Sequence, residues 1–486
     1  AGQTLWYGAS SIFGRFLNYL LTPLLATIFA SASYGKISTL FATAAFLNII
    51  YTYGLETAYF RFATKEAEKK VYNTALTALI VSTALFTLVL YSLRTNIAAF
   101  LEMPEHPEYI GWMIWIVALD TIAVLPFSKL RHEGRPRKFA FVKVTNILLN
   151  IALVLFFLVL CKDAAPESWL HAFYQPEIGL GYVMLANLAS SAATVLLLSK
   201  ELLHFRLAID PSFMKQMLSY SWPLIIVGFG GMVNEMIDRF MLLKFYPGSP
   251  EEAYAQSGIY SANYKLAVLI ILFIQAFRLG AEPFFFRQST EKNAASTYAR
   301  VMKFFVIACC FCFLGVVLFL DIWKYFMGRT HAEYWTGLKV VPILMLAKLF
   351  LGIYYNLSIW YKLTNRNLIG AWITLGGAML TILINYLLIP SMGYMASAIA
   401  TLACYGSMMI ASAWLGQKYY PVAYPWKSIT VYIVAILALY AAHQIMLPYL
   451  EIMWQRHVAG LLLFAAFGLL IAKTEKETLK ELPVIG

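Results

Sequence analysis

The segment GLETAYFR, Gly54 to Arg61, returns as GAEPFFFR at Gly280 to Arg287, 226 residues later. Gly, Glu, Phe and Arg recur in register, and Thr64/Thr290 and Tyr72/Tyr298 extend the match. At an offset of 224, Arg15-Phe16-Leu17 aligns with Arg239-Phe240-Met241. Two agreeing pieces in neighbouring segments point to an internal repeat.

Each copy closes a long apolar run, and such runs fill the chain. A membrane-spanning helix needs about 20 mostly apolar residues. Fourteen runs of that kind lie near 6–30, 36–60, 73–93, 109–127, 140–161, 179–199, 217–243, 258–285, 301–320, 338–360, 368–389, 393–416, 428–447 and 457–472. Hydrophobic residues make up 61% of the 486 positions and charged residues 13%, with a mean hydropathy of +0.69. A soluble chain of this length has nowhere to hide so much apolar surface. The expected fold is therefore an all-α polytopic membrane protein with 14 transmembrane helices. The repeat offset covers six spans, and an even number keeps both copies in the same orientation. The expected architecture is two parallel six-helix lobes, residues 1–200 and 217–417, joined by a cytoplasmic linker at 201–216. A terminal helix pair and tail, 418–486, completes it. Carriers built this way hold their site between the lobes near the midplane and alternate access by rocking.

The net charge of +12 would raise nucleic-acid binding in a soluble chain. Here it reads as topology. Loops on one side hold 24 basic residues, with Lys129, Arg131, Arg135, Arg137, Lys138 and Lys143 in the densest, and the opposite loops hold 8. The positive-inside rule then puts both termini in the cytoplasm. The first basic residue, Arg15, lies inside the first apolar run, so a removable signal peptide is not expected. Cys309, Cys310 and Cys312 have no histidine near them and sit in an apolar run, so neither a metal site nor a disulfide is expected. No connection exceeds about twenty residues, which leaves no room for a soluble catalytic domain. The acidic loops at 94–108 and 162–178 carry no paired-carboxylate or metal signature, so no enzyme is expected, and no cofactor.

Ten charges fall inside the apolar runs: Arg15, Arg239, Lys265, Arg278 and Lys348 against Glu56, Asp120, Glu235, Asp238 and Glu282. Facing lipid, each would cost roughly 2.5–3.5 kcal/mol, so together they would exceed a typical folding stability. They must face one another or water. Helical spacing supports a wet interior. Gly8, Ser11, Arg15, Asn18 and Thr22 share one face of the first run, and Asn48, Thr52 and Glu56 share one of the second. Gly228, Gly231, Glu235 and Asp238 line the seventh, with Arg239 turned about 100° from Asp238. Ser261, Tyr264, Gln275, Arg278 and Glu282 line the eighth, and Lys348, Gly352 and Tyr355 the tenth. Glu56 and Asp120 have no charge partner within a turn. Pro23, Pro223, Gly231, Gly280, Pro283 and Pro342 are expected to let these helices bend.

With these residues in place, the sequence resembles the polysaccharide-export flippases of the multidrug/oligosaccharidyl-lipid/polysaccharide (MOP) superfamily. The Arg15 run, the Gly54–Arg61 segment and DRFMLLKFYPGSPEEAYAQSGIYSANYK from Asp238 to Lys265 carry the likeness. The last matches a pattern in which an Asp-Arg pair precedes a loop and a Gly-x-Tyr-Ser/Thr-x-x-Tyr segment, here Gly258, Tyr260, Ser261 and Tyr264. The resemblance implies transfer of lipid-linked sugar units, commonly on undecaprenyl diphosphate, to the outer leaflet of a bacterial inner membrane. It also implies that the last two spans support a lipid-tail groove.

Arginine suits bidentate phosphate contact, so Arg15, Arg239 and Arg278, with Lys265 and Lys348, are the expected headgroup ligands. Asn18, Asn48 and Gln275 are the expected polar lining of the cavity. Glu56, Asp120, Glu235, Asp238 and Glu282 are the expected charge partners or carriers of a coupling H+ or Na+. The expected partners are the bilayer and the substrate, with no nucleic acid, and the expected state is a monomer. Two relatives give alternative readings. The lipid II flippases show Ser-Arg-x-x-Gly-x-x-Arg-Asp in the first helix. Here Gly14 to Thr22 lacks the second Arg and the Asp, and Tyr51 and Thr52 stand where their second-helix arginines are. The multidrug/cation antiporters need an acidic balance, whereas this interior holds five charges of each sign.

Overall fold

Glycine and proline set the punctuation of the chain. A computed structural model describes residues 14, 16–17, 19–64, 67–203, 205–289, 291 and 293–476, and these are predominantly helical with no strand among them. Helix α1 is Ser31–Thr52, and it stops where Tyr53 (φ 30°) and Gly54 (φ 74°) enter the left-handed region. Gly54 tolerates that geometry because it has no Cβ. The chain restarts as α2, Leu55–Phe62, with Glu56 in its first turn. There follow α3 (Glu68–Ser92), α4 (Pro107–His132), α5 (Pro136–Leu155), α6 (Gly181–Leu197) and α7 (Ser199–Leu203). Next come α8 (Pro211–Phe245), α9 (Pro250–Gln288), α10 (Ala294–Val317) and α11 (Val341–Leu357). The last are α12 (Asn367–Met392), α13 (Tyr394–Tyr419), α14 (Trp426–Met446) and α15 (Met453–Thr474). Several start on proline, whose missing N–H would be unpaired in a first turn anyway. At α8 the Asp210 side chain also accepts hydrogen bonds from the N–H groups of Ser212 (2.9 Å) and Phe213 (3.1 Å).

Among the described residues, eleven helices are long and apolar enough to cross a membrane, and twelve when the bent pair His171–Ile178 and Gly181–Leu197, meeting at 118°, is one span. The chain is thus a polytopic helical membrane protein. Fourteen were expected, and two physical reasons account for the difference. The first run lies partly in residues outside the described set, leaving the short apolar helix Tyr19–Ile28. The seventh lies within α8, 35 residues long, whose apolar character is diluted by Asn234, Glu235, Asp238, Arg239 and Lys244. Pro342 departs from its expected role as well: it stands in the first turn of α11, where it starts a helix instead of bending one. Pro223, in contrast, lies inside α8.

The chain divides into two compact units. Unit 1 comprises residues up to Ser261 together with Thr381–Ser397. Its core gathers Leu55, Tyr59, Val71, Tyr72, Leu76, Leu79, Leu125 and Met217. In the same unit α1 meets the start of α9 through small residues. Ser31, Gly35 and Ser38 face Tyr254, Gly258 and Ser261. A Cβ on Gly35 would run into the Tyr254 carbonyl, and one on Gly258 into the Ser31 carbonyl. The Ser38 hydroxyl donates to Ser261 Oγ at 2.8 Å. Lipid offers no hydrophobic drive between helices, so backbone approach of this kind is how membrane helices gain contact. Unit 2 comprises Ala262–Leu380 and the residues from Ala398 onward. Its core includes Ala347, Leu351, Tyr354, Trp360, Ile373, Cys404, Tyr405 and Met408.

Candidate functional site: charged side chains within the helices

In unit 1, Arg239 is 4% exposed. Its Nη1 donates to Asp238 Oδ1 at 2.5 Å and to the Glu235 carbonyl at 2.6 Å. The guanidinium lies 5.4 Å from the centre of the Tyr260 ring. The 100° between adjacent positions was expected to separate Asp238 from Arg239. It does not, because the long arginine stem folds back along its own helix and brings the head to the preceding carboxylate. Glu235 is half-buried.

Glu56 forms an ion pair with Arg131 on the last turn of α4. Arg131 had read as a loop residue marking orientation. The guanidinium also lies 4.9 Å from the centre of the exposed Phe60 ring, one turn after Glu56. Asp120, three turns before Arg131 on the same face of α4, is exposed although it sits mid-helix. Its carboxylate interacts with the Ser191 hydroxyl of α6 and the Lys143 ammonium of α5. Lys143 is exposed, stands 4.3 Å over the Phe127 ring, and lies within electrostatic range of Asp120, Glu56 and Arg131. One turn along α5, Asn146 Nδ2 donates to Thr194 Oγ1 at 2.9 Å. Lys143, Arg131, Ser191 and Phe60 were not among the expected site residues. Two signals pointed to Arg131 and Lys143: the eleven-residue spacing of Asp120 and Arg131, and the seven residues by which Lys143 follows Pro136, two turns into a helix.

In unit 2, Lys348 is fully buried. Its ammonium stands 4.7 Å from the centres of both the Tyr264 and the Tyr405 rings and donates to Tyr405 Oη at 3.4 Å. Arg278 is half-buried, 4.0 Å over the Tyr355 ring, and lines a small pocket with Asn356, Ser358 and Lys362. Lys265 and Gln275 are half-buried. Asn48, in unit 1, is exposed. Arg15, Asn18 and the side chain of Glu282 lie outside the described residues. The structure thus brings together Asp238 with Arg239, Glu56 with Arg131, and Asp120 with Lys143, all within unit 1. No group of three or more His, Cys, Asp or Glu side chains suited to a metal ion occurs among the described residues.

Outside the apolar spans, Glu201 on α7 is 4% exposed. Lys138 Nζ reaches its two oxygens at 2.6 and 2.8 Å, and Arg135 Nη1 reaches one at 3.0 Å. Burial alone raises this carboxyl, but the two cations outweigh burial and hold it below the ordinary glutamate range. The Tyr72 hydroxyl donates to the Glu201 carbonyl at 3.1 Å.

A family model described as polysaccharide biosynthesis protein matches residues 2–288. Among solved structures, the lipid II flippase MurJ in an inward closed conformation is similar over 97% of this chain and 99% of that one, with a TM-score of 0.73 at 14% identity. An inward-facing multidrug resistance MATE family transporter of the MOP superfamily is similar over 86% and 94%, with a TM-score of 0.61 at 14% identity. The Vibrio cholerae MATE transporter VcmN in its bent form is similar over 89% and 98%, with a TM-score of 0.54 at 13% identity. No curated protein sequence matches the chain. At these identities the structural likeness is one of fold.

Proposed function

The chain belongs to the polysaccharide biosynthesis protein family, and from that premise we propose that it is a flippase carrying a polyprenyl diphosphate-linked oligosaccharide from the cytoplasmic to the outer leaflet. The family match over residues 2–288 is the observation that carries this reading. The chain performs no chemistry on its cargo. Two six-helix lobes, residues 1–200 and 217–417, alternate access, with residues 418–486 as a terminal pair. Both termini face the cytoplasm of a bacterial inner membrane.

A diphosphate leaving water needs cationic partners, and Arg15, Arg278 and Lys265 serve that role. Arg239 and Lys348 contribute less in the conformation described, since Arg239 is held by Asp238 and Lys348 is enclosed by two tyrosines. The missing second Arg and Asp of the first helix weigh against lipid II as the cargo, and an interior with five charges of each sign weighs against a drug cation.

The test is movement of a labelled lipid-linked oligosaccharide in proteoliposomes, beside a drug cation in parallel vesicles. The oligosaccharide should move and the cation should not; the reverse result ends this reading. Within that assay, Arg15→Ala and Arg278→Ala should each lower the rate about tenfold, the value of one lost charge-assisted hydrogen bond. Normal surface polysaccharide in all three of the strains carrying Arg15→Ala, Arg239→Ala and Arg278→Ala at native expression would refute the phosphate role.

A further inference from the structure

Asp120 and Lys143, both exposed, and Glu56 and Arg131, both half-buried, form one charge-balanced set in unit 1 for which the diphosphate reading has no use. Asp120 and Arg131 lie eleven residues apart on α4, which is three turns and about 16 Å along one helix face. Lys143 on α5 stands within electrostatic range of both of them and of Glu56. At one end, the exposed Phe60 ring lies beneath the Arg131 guanidinium. Toward the other end, Ser191 adds a hydroxyl beside Asp120.

The chemistry of the set selects its ligand. Two carboxylates and two cations sum to zero, so an anion such as a diphosphate meets as much repulsion as attraction, and so does a cation. A neutral ligand rich in hydroxyl groups is different. Each hydroxyl both donates and accepts, so it donates to Asp120 or Glu56 while its neighbour accepts from Lys143 or Arg131. Such bonds to ionised groups are the strong kind. An aromatic face at the rim, Phe60, offers the C–H face of a sugar ring a surface to stack on. The length, about 16 Å, suits several linked sugars better than one.

We infer that this surface of unit 1 is the glycan track: Phe60, Glu56 with Arg131, Lys143 and Asp120 bind the sugar portion of the cargo and determine which glycans are carried. The inference rests on the proposed flippase function and adds the specificity-determining residues. Arg131 and Phe60 lie at the end that the charge bias assigns to the cytoplasm, where the cargo is loaded. Asp120 lies deeper, where only the longer glycans reach.

The experiment measures flipping in proteoliposomes of undecaprenyl diphosphate bearing either an oligosaccharide or a single sugar, with free oligosaccharide and inorganic pyrophosphate as competitors. The wild type should favour the oligosaccharide. Asp120→Asn and Lys143→Gln should each raise its half-saturating concentration about tenfold, with the maximal rate and the single-sugar cargo little affected. Lys143→Arg should retain most of the preference. Free oligosaccharide should compete with the wild type and lose that power against Asp120→Asn, while pyrophosphate competes equally with both. Unchanged saturation in both variants overturns the track, as does a displaced pH profile of transport in Asp120→Asn with saturation intact, which makes Asp120 a proton carrier. Failure of the wild type to move either cargo refutes the flippase reading itself, a result distinct from the other two. Both side chains are exposed, so folding is preserved, and a matching unfolding temperature checks it.

Discussion

A carboxylate buried at the end of a helix pair is stable only if its charge is met, and Glu201 is met twice, by Lys138 and Arg135. Because its folded-state affinity for protons is depressed, Glu201 adds stability above the unfolded glutamate pKa, about 4.3, and that stability is lost as pH falls through the lower folded value. Replacing Glu201 with Gln should destabilise the protein by about 2 kcal/mol near neutral pH. In thermal unfolding of detergent-solubilised protein, the gap between wild type and variant should stay constant down to about pH 4 and close below it. An unvarying gap at every pH would contradict the assignment. At this scale the sequence named the charges within the apolar runs but not their partners. Position along a chain does not say how a long side chain folds, and so Arg239 turns to its own neighbour. Glu56 finds Arg131 seventy-five residues away, in a basic stretch that had an adequate explanation as an orientation signal. A charge counted for topology is not available in the count for a site, which hid both Arg131 and Lys143.

The crossing of α1 with α9 depends on two glycines in a way that ordinary helix propensity does not capture. Gly258→Ala and Gly35→Ala should each destabilise unit 1 by about 3 kcal/mol, since the added methyl meets backbone that cannot move aside. Gly231→Ala, on α8, meets nothing within 4 Å and should instead stabilise by up to about 1 kcal/mol through helix propensity. Unfolding temperatures of the three variants check the contrast; equal effects would mean that the close approach does not hold these helices. The helices themselves were legible, because long apolar runs have one stable form in lipid. Which small residues mark a bend and which mark a contact was not. Gly258 and Ser261 stood out as part of a family pattern, but their partners Ser31, Gly35 and Ser38 lie in a different run, and a single sequence carries no sign of the pairing. Pro342 was misread for a related reason: proline starts helices as readily as it bends them, and the boundary decides which.

Over the whole molecule, the orientation proposed from loop charge is open to direct labelling. A single cysteine placed at Glu167 should react with a membrane-impermeant maleimide in intact cells, and one at Asn293 only after the membrane is opened. Four of the five native cysteines are buried and the fifth is half-buried, so the background is low. The opposite pattern would invert the topology. Fold class was readable at this scale because it depends on sums over many residues, whereas the boundary of the compact units, at Ser261 and around Thr381–Ser397, depends on contacts such as the glycine crossing. The balanced charges of unit 1 also bear on energetics. A membrane potential does work of about 2.3 kcal/mol per elementary charge for each 100 mV crossed. Glu56, Asp120, Arg131 and Lys143 cancel, so the voltage does almost no net work on this set wherever unit 1 moves. On the proposed function, the electrical work of a turnover falls on the anionic cargo, which a potential negative inside drives outward, and the cell's voltage becomes a source of direction that the protein need not supply.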